Sequence, residues 1–281
     1  MRLAALGLGG LLVIACGCPA PKGTQRPYPE PTVADLVARL SKARDAMTSF
    51  RADSTMDYWM GNQRAKGEVL VMGAVGAKVR FAALSPAGGS SMAEMACDGT
   101  NFVYVDYQNN CALTGPCDQR SIASFFHIEL APDDFLHLAV GTPPIVGPTG
   151  KLTYVDGKEK LELTGPDGTE KLTLDLTSGK LDVLEAELVG ADGKTRWSVT
   201  NADFDIVGDH RVPGKTRFKS PTSQQDLIVE WGNTQDRAVN LTPPAGAFVL
   251  AAPQGLPTCG QQAAPPAKPA ATPPATNPAK P

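Results

Sequence analysis

Little in this chain invites catalysis or nucleic acid. Its three histidines, His127, His137 and His210, stand far apart in 281 residues. There is no G-x-S-x-G nucleophile motif. The nearest approach to a phosphate loop, 147–151, has Ile145 where the upstream glycine belongs and Leu152 in place of Ser or Thr. No nucleophile, base and orienter can be assembled, so no enzyme is expected. Lys and Arg number 26 against 29 Asp and Glu, a net charge of −3. That removes the electrostatic footprint of a nucleic-acid binder. The only long apolar run, Leu3–Ala15, is too short to span a bilayer as a helix. Asp133, Asp134 and His137 have helical spacing for a metal, but acids in a helix first turn followed by a histidine are an ordinary arrangement. No metal or cofactor is expected.

What the start of the chain does carry is an address. Met1-Arg2 supplies a positive charge and Leu3–Ala15 an apolar core, the pattern of a secretory signal over residues 1–15. The run ends in Val13-Ile14-Ala15-Cys16, which resembles the lipobox of bacterial lipoproteins. That resemblance implies that Cys16 is diacylated on sulfur, becomes the mature N-terminus and is then N-acylated. Several buried acyl chains (palmitate-like), at about 0.8 kcal/mol per CH₂, hold a protein on a membrane permanently. Cys18 fits the pattern less well, because Ala15 would then fill the aliphatic position. Gly17 stands where an Asp would favour inner-membrane retention, so the resemblance implies the outer membrane, with the domain facing the periplasm.

Residues 16–31 are proline-rich and read as a lipidated tether. Residues 260–281, almost all Ala, Pro, Gln, Thr and Lys, cannot bury enough surface to order themselves and read as a disordered tail. One domain, 32–259, lies between. It opens with a helix over 32–49: Thr32 and Asp35 suit a capping box, and Leu36, Leu40, Ala43, Met47 and Phe50 recur at spacings of three and four. The period then changes to two. Strands are expected at 52–58, 67–72, 78–84, 91–97 and 102–107, a helical insert at 120–140, and a meander from Lys151 punctuated by Asp156-Gly157, Asp167-Gly168, Ser178-Gly179 and Asp192-Gly193. Closing strands are expected at 197–207, 212–219 and 226–231. Gly67-Glu-Val-Leu-Val-Met-Gly73 reads as covered on both faces. The fold class is therefore mainly β (α+β): a curved antiparallel sheet of about 10–11 strands with helices on its concave face.

This order of elements resembles the Lol-type lipoprotein carriers (LolA/LolB-like). The resemblance rests on Asp35–Met56, on Cys97–Asp106, on Leu130–Pro144 with its Gly-x-Pro-Pro end, and on Val212–Pro253. It implies an unclosed β-barrel with a helical lid over an apolar cavity, and as partner an acyl chain or a lipidated protein. The family's acceptor member uses a loop with an apolar tip between its third and fourth strands. Here that loop, 85–91, has no large apolar residue, which argues against an acceptor role. The inward sheet positions and helix stripe most suited to face a ligand are Leu36, Leu40, Met47, Leu70, Phe81 and Tyr104. The alternative is a scaffold lipoprotein in which the same residues form a filled core. Cys97, Cys111, Cys117 and Cys259, in an exported chain, should form two disulfides out of three possible pairings. The short loop favours Cys111–Cys117, leaving Cys97–Cys259, with a structural zinc as the rival.

Overall fold

The computed structural model describes residues 25–85, 89–126, 131–221 and 224–260. Cys16, Cys18, the expected signal, His127, the centre of loop 85–91 and residues 261–281 lie outside the described residues. The elements run α1 (Val33–Asp45), β1 (Ser49–Met60), β2 (Gln63–Ala74), β3 (Lys78–Leu84), β4 (Ser91–Asp98), β5 (Asn101–Asp106) and β6 (Cys111–Pro116). Then come α2 (Gln119–Phe126), α3 (Pro132–Ala139), β7 (Thr149–Val155), β8 (Lys158–Gly165), β9 (Gly168–Asp175), β10 (Asp182–Val189) and β11 (Thr195–Ala202). The chain closes with β12 (Asp205–Val207), β13 (His210–Val212), β14 (Lys215–Ser220), β15 (Gln225–Trp231) and β16 (Arg237–Val239).

Fourteen strands form one antiparallel sheet in the order β6-β5-β4-β3-β2-β1-β15-β14-β11-β10-β9-β8-β7, with β16 also on β1; β12 and β13 make a separate ribbon. β6 and β7 end the order without pairing to each other, so the sheet curls but does not close. The expected architecture holds, with more strands than the 10–11 counted. The segment between Cys111 and Cys117 is itself a strand, and the two long closing runs each break in two near Asp203 and Gly214. The meander turns fall where expected. At Asp156-Gly157 both residues take positive φ, 52° and 78°, between the paired Val155 and Lys158, the backbone a two-residue hairpin needs.

The capping box forms at α1: the Asp35 amide donates to Thr32 Oγ1 at 3.1 Å and the Thr32 amide to Asp35 Oδ2 at 3.2 Å. The helix is shorter than 32–49, because Ser49 and Phe50 begin β1. Their helical spacing is coincidental: Phe50 is buried by strand alternation with Ala52 and Ser54. The insert over 120–140 is two helices. α3 starts at Pro132 with Asp133 and Asp134 in its first turn, where acids favour the positive end of the helix dipole.

Alternation gives the sheet one dry face. Val69, Val71, Val79, Phe81, Met95, Leu161, Leu163, Leu172, Leu174 and Val199 are buried on it with Leu36 and Leu40 of α1 and Leu136 of α3. The outer face carries ion-pair ladders such as Lys160–Thr173–Glu185 and Arg217–Asp226. β2 is not covered on both faces: Leu70, between Val69 and Val71, is 40% exposed on the outer side.

The disulfides are Cys97–Cys117 and Cys111–Cys259, not the expected Cys111–Cys117 and Cys97–Cys259. The reason is β6. Extended chain between Cys111 and Cys117 holds their Cα atoms about 20 Å apart at ~3.3 Å per residue, beyond the ~7 Å a bridge can span. The Cys117 amide instead donates to Thr100 O, bringing Cys117 to the end of β4, 5.5 Å from Cys97 between Cα atoms. Cys259 reaches β6 because the C-terminal segment returns over the sheet's outer side. Arg80 Nη1 donates to Val249 O, Phe248 is buried, and residues 257–259 pair with Ala112 along the β6 edge. At the other side, before α1, Arg26 grips the fully buried Glu159 of β8 with two hydrogen bonds of 2.8 and 3.2 Å, and Tyr28 adds a third at 3.3 Å.

Candidate functional site

The six residues expected to face a ligand do not gather around a cavity. Leu36, Leu40, Met47 and Phe81 are 0–4% exposed within the packed core. Tyr104 is half-buried on the inner face, its hydroxyl donating to Asp106 Oδ2 at 3.3 Å. Leu70 points to the other side of the sheet. Over β2 the packing leaves no gap: a Cβ added at Gly73 would lie 3.2 Å from Leu136 Cδ1, so glycine there lets α3 approach the sheet.

The apolar opening lies farther along α3, over the closing strands. Phe135, Leu138 and Ala139 of α3 face Val199 of β11, Thr216 and Phe218 of β14, and Leu227, Val229 and Trp231 of β15. The cavity among them is about 40 Å³. Apart from Thr216, its lining side chains are all apolar or aromatic. Alternation in Lys215–Ser220 and Gln225–Trp231, with the 135, 138, 139 spacing in α3, carried this signal. It is weaker than the five-position apolar stripe of the first helix, because a helix of eight residues offers only three such positions.

One polar station stands at an end of this lining, and another polar residue stands one same-face step beyond its other end. At the first, Trp231 Nε1 donates to Thr216 Oγ1 at 2.9 Å, Thr216 Oγ1 donates to Asn201 Oδ1 at 3.0 Å, and Asn201 Nδ2 donates to Val183 O at 3.0 Å. That chain is closed. Beyond the other end, Gln225 pairs through its backbone with Ser220 and Met60 and shares the inner face with Leu227, Val229 and Trp231. Gln225 is 4% exposed, and its Oε1 has no hydrogen-bond partner.

α3 is fastened at its first turn and its end. Asp134 Oδ1 accepts from Arg44 Nη2 at 2.5 Å, and Asp133 Oδ1 from the Ala77 amide at 2.7 Å. Arg44 Nη1 also donates to Thr142 O. His137 is buried beside Thr142 Oγ1. Burial, with the nearby charge of Arg44, pushes its pKa down to about 4. Asp133, Asp134 and His137 thus each have separate engagements. Beneath Arg44 and Asp134 lies Glu170 of β9, fully buried, accepting from the Val146 amide at 3.3 Å. Burial pushes its carboxyl up to about 8, and its Oε1 is unpartnered. His210 meets Asn240 at 2.9 Å on the surface. Among the described residues no cluster of three His, Cys, Asp or Glu is placed to hold a metal, and no helix is long and apolar enough to cross a membrane.

No protein-family model and no curated protein matches the chain. Solved structures do. A LolA superfamily protein from Nitrosomonas europaea is 12% identical with a TM-score of 0.52, over 79% of this chain and 99% of that one. A domain described as an outer membrane lipoprotein-sorting protein from Vibrio parahaemolyticus is 9% identical with a TM-score of 0.54, over 77% and 95%. A DUF1329 family protein from Desulfovibrio piger is 11% identical with a TM-score of 0.53, over 77% and 95%. At these identities the likeness is one of architecture: the chain has a LolA-like fold.

Proposed function

We infer that this chain is a binder rather than an enzyme, and that it holds the acyl chain of a lipid or lipidated protein in the cleft beneath α3. The observation that carries the reading is the cleft itself, walled by aliphatic and aromatic side chains, roofed by a short helix and lying on the concave face of an unclosed sheet. Apolar surface there gains about 25 cal/mol per Å² on burial. As it stands the space is a narrow seam. At about 40 Å³ it falls far below the ~300 Å³ of the smaller ligand pockets. Entry therefore requires α3 to lift, and the contacts of Asp133 and Asp134 are what it must release. The Val13–Cys16 signature supports attachment through Cys16, and Gly17 supports the outer membrane, lipid-anchored, as the location.

A second reading, a scaffold lipoprotein with a filled core, draws on the same small volume. The two part in one measurement. With Cys16→Ser in the full chain, so that no anchor is added, a fluorescent acyl probe with a neutral head should bind saturably. Ala139→Leu, which puts a branched side chain into the cleft, should weaken binding about fivefold or more in protein that stays folded by circular dichroism, at a cost in stability of about 1–3 kcal/mol. Absence of saturable binding in the parent protein would leave the scaffold.

A further inference from the structure

The orphaned carbonyl of Gln225 bears on which acyl ligand the cleft takes. A buried amide oxygen without a donor costs stability, so its position calls for an explanation. Gln225 lies on β15 one same-face step beyond Leu227, a distance of about 7 Å, and opposite Ser220, which is also buried. Its backbone is paired on both sides, to β14 and β1, so the side chain hangs from a fixed point. The other end of the cleft needs nothing, because Trp231, Thr216 and Asn201 satisfy one another. The cleft lining is thus apolar in the middle and saturated at one end, and the residue one same-face step beyond its other end is short of a donor.

We propose that Gln225 is the head-group station of the cleft, and that its carbonyl accepts a hydrogen bond from an N–H or O–H beside the acyl carbonyl of the ligand. This rests on the acyl-binding reading above and narrows it. The favoured class is an acyl chain in amide linkage, or one carrying a hydroxyl-bearing head. A free fatty carboxylate offers only acceptors and sets lone pair against lone pair at Gln225 Oε1. A simple alkyl ester leaves the carbonyl unmet. The tail in each case lies along Phe218, Leu227 and Val229, so the class is decided at the polar end alone.

The test uses three ligands of one chain length against the full chain carrying Cys16→Ser: N-(2-hydroxyethyl)dodecanamide, methyl dodecanoate and dodecanoate. Calorimetry should rank the amide above the ester by at least about threefold, and dodecanoate no better than the ester. In Gln225→Met, which keeps length and apolar bulk, the amide should fall to the affinity of the ester while the ester is unchanged or improved. Equal affinities in the parent protein, a decision that needs no variant, would overturn the proposal and leave the acyl cleft standing. So would a preference for the amide that survives in Gln225→Met. No saturable binding of any of the three would remove the cleft reading and this one together.

Discussion

Glu170, near Asp134 of α3, and His137, within that helix, pull stability in opposite directions with pH. Glu170 holds its proton in the folded protein up to about pH 8 and in the unfolded chain only to about 4.5. Across that window the unfolded state binds fewer protons, so stability falls as pH rises. His137 is neutral in the fold down to about pH 4 and takes a proton in the unfolded chain below about 6.5. Its contribution is lost as pH falls through that window. Between pH 6.5 and 8 Glu170 acts alone of the two. Glu170→Gln should flatten the decline there and leave the variant the more stable protein at pH 8, read by urea melts at successive pH values. Neither residue was legible as a titrating group in the sequence. Glu170 belongs to Gly168–Asp175, where alternation puts it on the dry face, but burial of a carboxylate is set by distant chain packed over it, here the segment at Val146. Leu70 shows the complementary limit: a strand apolar at both parities does not say which side is covered, and shifting the choice by one residue reverses it.

At the scale of elements, α3 is the part that the acyl-binding proposal requires to move. It is eight residues long, held through Asp134 to Arg44 and through Asp133 to the backbone of the β2–β3 turn. Asp134 and Arg44 are each about a fifth exposed, so their contact is partly screened. Asp134→Ala should release about 1 kcal/mol of closure, seen as faster hydrogen exchange across α3 and faster probe uptake, with the sheet's own protection unchanged. Unchanged exchange in α3 would mean the helix is retained by apolar packing alone. The elements with strong local signals were readable: the α1 capping box, the Asp-Gly turns and the Pro132 start. β6 was not. Two cysteines with glycine and proline between them look like a closed loop, and only its partner β5, paired from Asn101 to Asp106, pulls the segment straight.

Across the whole molecule, the Cys111–Cys259 bridge fixes the last described segment against the border strand. It spans 148 residues against 20 for Cys97–Cys117. Chain entropy then assigns it about 5 kcal/mol and the shorter bridge about 3 kcal/mol. Peptide mapping without reductant should recover these two pairs, and Cys259→Ala should lower the melting temperature more than Cys117→Ala does. Recovery of Cys111–Cys117 would contradict the extended course of β6. The grip of Arg26 on Glu159 has a different consequence, one of orientation. Glu159 and Gln225 belong to opposite rims of the curled sheet: Glu159 pairs with Leu174 and Leu174 with Val183, at the rim where β11 ends in Ala202, paired to Lys215 and on to Glu230, while Gln225 pairs with Ser220 at the rim where β10 ends in Val189 and β8 in Gly165. Ten residues separate Arg26 from Cys16, a leash of at most about 35 Å even when taut. If Cys16 holds the anchor, the Glu159 rim is the one tied by the short leash to the protein's own bilayer, and the Gln225 rim is the one left at the far side of the sheet, free to meet what does not share that bilayer.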